Sequence, residues 1–580
     1  MNIVTNKLTK IVGAAFKKNG YNENYGLTLV SNRRDLGQFQ CNGALASAKE
    51  YKKNPLDIAN EVLSELKDNE LFSDVNVVRP GFINITLKDE VIVDFLNSID
   101  EDNNYGIIKD ESKTIVIDYG GPNIAKPLHV GHLRSAIIGD SIKRIARIKG
   151  HHVIGDIHLG DWGLQMGLVL AQIEDELPSI KDYDGKGEIE LNVGLDDLNE
   201  WYPKASKRSK EDEVFRDRAS LITFKLQNKD PKYYNLWKEI AKLSTTDLKK
   251  SYDILGVEFD KWLGESDSDE YVDELITSLE EQGLLYESDG AMVVDVAKED
   301  DDHTIPPVLI KKSNGGILYP TTDLATLIQR DRDFNPDYIY YVVDNRQGMH
   351  FEQVFRCARK ANLIDDKIII EHVGFGTMNG SDGKPYKTRQ GGILKLSDLI
   401  STVIESARDK IQHLDYESDE KELIAKRVGI AALKFGDLIN FRGKDYLFDL
   451  DRFLSFEGKT GPYLLYTVSR INSILDKAKE FSFEESDFIT PQSEEERDLM
   501  LNLLFINDAF ENAFREKAPN FIADYVYNLA ASFNKFYVNS RILAEEDESK
   551  RGSWLKLLQL VKNILELQLS MLGIDTVTRM

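Results

Sequence analysis

Residues Thr114–Ile148 constrain the fold more than any other stretch, reading TIVIDYGGPNIAKPLHVGHLRSAIIGDSIKRIARI. Thr114–Tyr119 is a β-branched and apolar run that Gly120, Gly121 and Pro122 bring to a stop, which predicts a buried strand and a turn. From Leu133 onward Ile138, Ile142 and Ile145 recur four and three apart. Lys149-Gly150 then supplies a basic last turn and a glycine stop, so an amphipathic helix follows. Between strand and helix stands His129-Val130-Gly131-His132. Two imidazoles at a helix N-terminus, beside its free N–H groups and positive dipole end, suit a phosphate, and Gly131 would let phosphates approach the backbone. Strand, turn and helix in this order form the first unit of a nucleotide-binding sheet, although the chain has neither GxxxxGK[ST] nor GxGxxG.

At 580 residues the chain needs several cores. Its 73 basic against 98 acidic residues leave a net charge of −25, so any nucleic-acid partner requires local basic patches. The two cysteines, Cys41 and Cys357, exclude a disulfide framework and a four-cysteine zinc site, and no structural zinc is expected. No run approaches the roughly 18 to 20 apolar residues of a membrane span, and the lysine-broken start is unlike a signal peptide; a cytoplasmic protein is expected.

Residues 1–108 read as an α+β unit with helices at Ile3–Lys18 and Pro55–Leu66, a strand region around Gly26–Val30 and an alternating strand at Gly81–Leu87. Residues 109–389 carry the α/β pattern, running through Val153-Ile154-Gly155 into His158-Leu159-Gly160-Asp161-Trp162-Gly163. A charged helical insertion at about 172–300 interrupts it, where no chemistry is expected. Alternation resumes at Pro307-Val308-Leu309-Ile310. Tyr338–Val343 and Ile368–Ile370 are further buried strands, which predicts a parallel sheet with Asp118, Tyr119, Asp344 and Asn345 at its ligand-binding edge. The loop Gly383–Arg389 carries Lys384 and Lys387, placed to clamp the far phosphates of a triphosphate. Residues 390–580 are helical. Ser493 and Glu496 form a capping box opening one helix with the stripe Leu499, Leu503, Ile506, Phe510 and Phe514, and Trp554–Leu572 form the last helix.

Taken in order, Gly121-Pro122-Asn123-x-Ala125-Lys126-x-x-His129-Val130-Gly131-His132-Leu133-Arg134, His158-x-Gly160-Asp161-Trp162-Gly163, Tyr319-x-Thr321-Thr322-Asp323, His350-Phe351-Glu352-Gln353 and Lys384-x-x-Lys387-Thr388 resemble the motifs of class I aminoacyl-tRNA synthetases, and of arginyl-tRNA synthetases in particular. The resemblance covers nearly the whole chain, including Phe39-Gln40-Cys41-Asn42 and the closing Leu572-Gly573-Ile574 to Arg579-Met580. It implies a Rossmann-type catalytic domain with an inserted helical region, an N-terminal α+β domain at the outer corner of tRNA, and a C-terminal all-α anticodon-binding bundle. The implied reaction is ATP-dependent activation of L-arginine followed by transfer to tRNA(Arg), with ATP entering as its Mg2+ complex and the protein a monomer.

By the same resemblance His129, His132, Lys126, Lys384 and Lys387 are catalytic, and Gly131, His158, Gly160 and Asp161 join the histidines and Lys387 in binding ATP. Asn123, Tyr319, Asp323 and Gln347 bind arginine, and Gln40, Asn42, Tyr463, Arg470, Asn534 and Tyr537 touch tRNA. Lys384 and Lys387 fall on the lysine places of the family's K-M-S-K-S loop, from which Pro385 and Tyr386 depart, and Lys126 shares their duty. A guanidinium, a planar fork of donors, asks for a carboxylate in fixed geometry, which Asp323 offers. Two alternatives stay open: a tRNA-binding or regulatory homologue without catalysis, and a class I synthetase for another amino acid.

Overall fold

Ile115, Val116 and Ile117 are fully buried, each contributing about 2 kcal/mol of apolar burial. They lie at the centre of the computed structural model, which describes residues 4–31, 33–99, 104–126, 128–187, 189, 191, 193–313, 315–380, 382–384, 394–413 and 416–580. Thr114–Tyr119 is an inner strand of a four-stranded parallel sheet. It pairs with His152–Asp156 on one side, Ile117 opposite Gly155, and with Tyr338–Val342 on the other, Ile117 opposite Tyr340. Ile369–His372 completes the sheet beyond Tyr338–Val342. The chain passes from the first strand through the histidine helix Val130–Ile148 to one neighbour and returns much later to the other. Strand order therefore reverses between Thr114–Tyr119 and Tyr338–Val342, and ligands of such sheets bind beyond the carboxyl ends at that reversal. Asp118 and Asp344 stand there. Tyr119 turns away: its ring stacks on Phe259 and lies so close to the helix that a Cβ on Gly139 would meet it at 2.3 Å.

Val308–Lys311 does not join this sheet. It pairs antiparallel with Ala291–Val294, which forms a hairpin with Leu285–Ser288. The insertion is thus helical over Leu195–Glu211, Glu213–Gln227 and Pro231–Leu255 but ends in a hairpin. Its turn is Asp289-Gly290, both at positive φ, the dipeptide that two-residue hairpins favour.

In the N-terminal unit the strands run Thr28–Val30, Phe39–Cys41, Phe82–Leu87, Phe72–Val78 across the sheet, all antiparallel. The expected helix Pro55–Leu66 is present, opened by Asn54 accepting from Leu56 N–H. In the C-terminal half the expected single helix after Ser493 is two, Glu494–Leu503 and Ile506–Glu516. The break lets Phe505 meet Phe39 edge-on at 5.7 Å. Ser493 caps the first as expected, but Glu496 does not close the box; its buried carboxylate accepts from Gln492 N–H and Trp554 Nε1. Among the described residues no helix is long and apolar enough to cross a membrane.

Candidate active site

His129 is the N-cap of the histidine helix, with extended φ and ψ of −123° and 166°. Its Nδ1 accepts from Gly131 N–H at 3.1 Å, and its own N–H donates to His132 Nδ1 at 3.1 Å. The two rings lie 3.9 Å apart. An Nδ1 that accepts carries no proton, so both imidazoles hold theirs on Nε2. Burial pushes the His129 imidazole down to about 4 and that of His132 well below its usual value, with Lys126 adding to both. Two neutral Nε2–H donors therefore head the helix.

The first turn does not offer free backbone N–H groups. Val130 N–H donates to Leu394 O, Gly131 N–H to His129 Nδ1, and His132 N–H to His129 O. The helix contributes its dipole, and the imidazoles contribute the donors. At Gly131 a Cβ would lie 2.8 Å from the His129 ring, so glycine is needed there to admit the imidazole.

Lys126 is half-buried with its Nζ 5.8 Å from the Tyr202 ring centroid, and burial lowers its pKa. Lys384 is exposed on a turn closed by Gly380 N–H to Lys384 O. Lys387 lies outside the described residues. His158, at a φ of 36°, places Nε2 3.5 Å from Thr326 Oγ1. Gly160 pairs with Asn123, whose Oδ1 leaves no room for a Cβ. Asp161 is buried. Both its carboxylate oxygens accept from Ser266, at 3.0 and 2.6 Å, so it orders the Gly264–Asp267 loop. Burial raises it to about 6.

Tyr319 and Asp323 share one face of the helix Tyr319–Phe334, as their spacing of four predicts. Asp323 Oδ2 lies 2.6 Å from His350 Nε2, a partner sequence reasoning quoted only within a motif. Tyr319 lines a cavity of about 280 Å³ with Trp162, Gly163, Gln165 and Glu265. Glu265 is a second residue that was missed. It is 7% exposed, and burial, with the Asp161 and Asp323 carboxylates beside it, pushes it up to about 8. Burial is the larger cause, and Glu265 is the carboxyl in the cavity's lining, which Lys312 also joins. Its only signal is the run Gly264–Asp269, which lies within the segment read as an inert insertion. Gln347, exposed just after the strand Tyr338–Val342, precedes His350 by three residues. Beneath the pocket the fully buried Arg330 joins Asp118 and Asp156 at 2.7 Å each. It thereby locks the helix bearing Asp323 to the inner strand Thr114–Tyr119 and its edge neighbour His152–Asp156.

Far from the cleft, Arg470 is held by Asn534 Oδ1 at 2.6 Å between the rings of Tyr466 and Tyr537, 4.7 and 5.2 Å away. Asn534 also donates to Tyr463 Oη and Thr467 Oγ1. Four expected residues therefore gather in one place, Tyr463 and Asn534 bracing Arg470 and Tyr537. In the N-terminal sheet Gln40 donates to Asn84 Oδ1, and Asn42 is exposed at the start of Gly43–Tyr51.

Three family models match the chain: "tRNA synthetases class I (R), catalytic domain" over residues 95–450, "DALR anticodon binding domain" over 464–580, and "Arginyl tRNA synthetase N terminal domain" over 2–87. The arginine–tRNA ligase of Alkaliphilus oremlandii is 47% identical, and that of Francisella tularensis 41%, each aligned over 100% of both chains. The crystal structure of arginyl-tRNA synthetase from Plasmodium falciparum superposes with a TM-score of 0.80 at 27% identity, covering all of both chains. That of Thermus thermophilus gives 0.79 at 22%, again over all of both, a likeness of fold.

Proposed function

The chain belongs to the class I arginyl-tRNA synthetase family, and we propose that it is an arginine–tRNA ligase whose histidine turn serves ATP and whose acidic cavity selects arginine. The arginine carboxylate attacks the α-phosphate of ATP, which enters as its Mg2+ complex; pyrophosphate leaves, and a ribose hydroxyl at the 3′ end of tRNA(Arg) then takes the arginyl group from the adenylate, releasing AMP. Such a displacement asks the protein for positioning and charge stabilisation more than covalent help. His129 and His132 donate from Nε2 to the phosphates as negative charge shifts, with Lys126, Lys384 and Lys387 as cations around them. Donors that are neutral and already hydrogen-bonded through Nδ1 need no reorientation when the charge develops.

Asp323, braced by His350, and Glu265 bind the guanidinium, with Tyr319, Asn123 and Gln347 around it. Glu265, buried in the cavity's lining, with the Asp323 carboxylate close enough to raise its pKa, carries this reading: a buried carboxyl left unpaired by a shorter or neutral side chain penalises that substrate. The Arg470 platform stacks on splayed anticodon bases, and Gln40 and Asn42 meet the outer corner of the tRNA. The protein acts as a monomer in the cytoplasm. Charging of tRNA(Arg) offered each of the twenty amino acids in turn tests the proposal. Arginine alone is expected to be transferred; transfer of another amino acid, or of none, overturns it.

A further inference from the structure

Two residues after His132, the histidine helix carries Arg134, a residue the proposed chemistry does not use. Its side chain is 1% exposed and lies between the rings of Phe375 and Tyr446, 5.7 and 5.0 Å away. Nη1 donates to Gly376 O at 2.5 Å and Lys444 O at 3.2 Å, Nη2 to Arg442 O at 3.4 Å, and Nε faces Asp437 Oδ2 at 2.9 Å. Gly376 leads directly into Met378–Asn379, which pairs with Tyr446–Leu447 and runs on to Lys384. The far end of the same segment returns to the histidines by backbone alone: Val130 N–H donates to Leu394 O, Leu396 N–H to Leu128 O, and His129 stands opposite Lys395.

We propose that Arg134 is a positioning residue for adenylate formation, setting the strand that leads to Lys384 in fixed register with the two histidines. The trailing anchor is built from main-chain bonds that any sequence supplies. The leading end has main-chain bonds to the sheet edge at Val343 and Asn345, but its direct tie to the histidine helix passes through one guanidinium, whose planar fork reaches three carbonyls from two separate segments at once; a lysine ammonium on a flexible stem does not. Asp437 neutralises the charge, and the two rings fix the plane. With Arg134 absent, the histidine helix and the strand leading to Lys384 keep their folds but lose the side-chain link that sets one directly against the other. Misplacement of about 1 Å costs about 100-fold in rate.

This inference rests on the reading of the histidine turn as the phosphate site, and its test separates the two. Arg134→Met alone would strand a buried Asp437, so the informative variant is Arg134→Met with Asp437→Asn, and Arg134→Lys is the second. Both are assayed by arginine-dependent pyrophosphate exchange with tRNA present, beside His132→Ala and thermal melting. The double variant is expected to melt cooperatively, lose about 100-fold in kcat and raise the KM for ATP, while the KM for arginine stays within about twofold. Arg134→Lys is expected to show the same direction, at about tenfold in kcat with a near-native Tm. If the double variant does not fold, Arg134→Lys decides alone. A variant that lowers only the Tm, with kcat and both KM values native, overturns the proposal. If His132→Ala also keeps native exchange, the phosphate-site reading fails with it; if His132→Ala alone loses exchange, only the role of Arg134 fails.

Discussion

Arg330 and Arg134 are both buried in the cleft, one under the amino-acid side and one under the phosphate side, and their partners differ in kind. Arg330 meets two carboxylates, Asp118 and Asp156, from adjacent strands of the sheet. Arg134 meets three main-chain carbonyls and one carboxylate. The first arrangement manages charge. Asp118, Asp156, Asp323, Asp161 and Glu265 crowd one region, and without Arg330 two of them would be unpaired within the sheet. The second manages place, because carbonyls carry no net charge and the guanidinium serves as a spacer of fixed shape. In the proposed function the amino-acid half therefore discriminates through carboxyl groups, while the phosphate half works through neutral donors held in register.

Arg330→Met has the largest expected effect. It leaves Asp118 and Asp156 buried without a counter-charge, and is expected to cost about 3–5 kcal/mol in urea unfolding. A loss under about 1 kcal/mol would mean that these carboxylates are not balanced by Arg330 at all.

A smaller effect sharpens the account of the acidic cavity. Glu265 holds its proton to about pH 8 in the free protein, whereas an unfolded Glu releases it near about 4.3. Between those values the native state binds more protons than the unfolded one. The contribution of Glu265 to stability is therefore full at low pH, declines as pH rises through that window, and is lost above about 8. Arginine is cationic throughout, so its binding drives that proton off. Calorimetric titration in two buffers is expected to show close to one proton released per arginine bound at neutral pH, with Kd tightening about tenfold per pH unit up to about 8. Glu265→Gln is expected to flatten the slope, and a native slope in that variant would remove Glu265 from the site. Smallest is the effect at the bundle. Arg470→Ala is expected to weaken tRNA binding by about 1 kcal/mol and to lower the salt slope by about one, with the KM for arginine unchanged.

The strand and helix around the histidines were legible because their signals are local: an apolar run, a glycine stop and a four-three periodicity. Pro55–Leu66 and the Tyr319–Asp323 face were legible for the same reason. What escaped depends on distant segments. Leu394 fills the Val130 N–H from more than 250 positions away, and Ser266 holds the Asp161 carboxylate from more than 100. Glu265, in a charged loop, reads as solvated until tertiary contacts bury it. Val308–Lys311 alternates as a half-buried strand should, but alternation does not say which sheet a strand joins. The break at Leu504-Phe505 leaves the helical stripe intact and answers to Phe39, a residue of another domain.

The division of labour between the two halves is tested most directly by arginine-dependent pyrophosphate exchange, with tRNA present, for His132→Ala and Asp323→Asn across ATP and arginine concentrations. His132→Ala is expected to lower kcat by about 100- to 1,000-fold with the KM for arginine unchanged. Asp323→Asn is expected to raise the KM for arginine by about 100-fold with the KM for ATP unchanged. Variants that shift both KM values together would contradict the account.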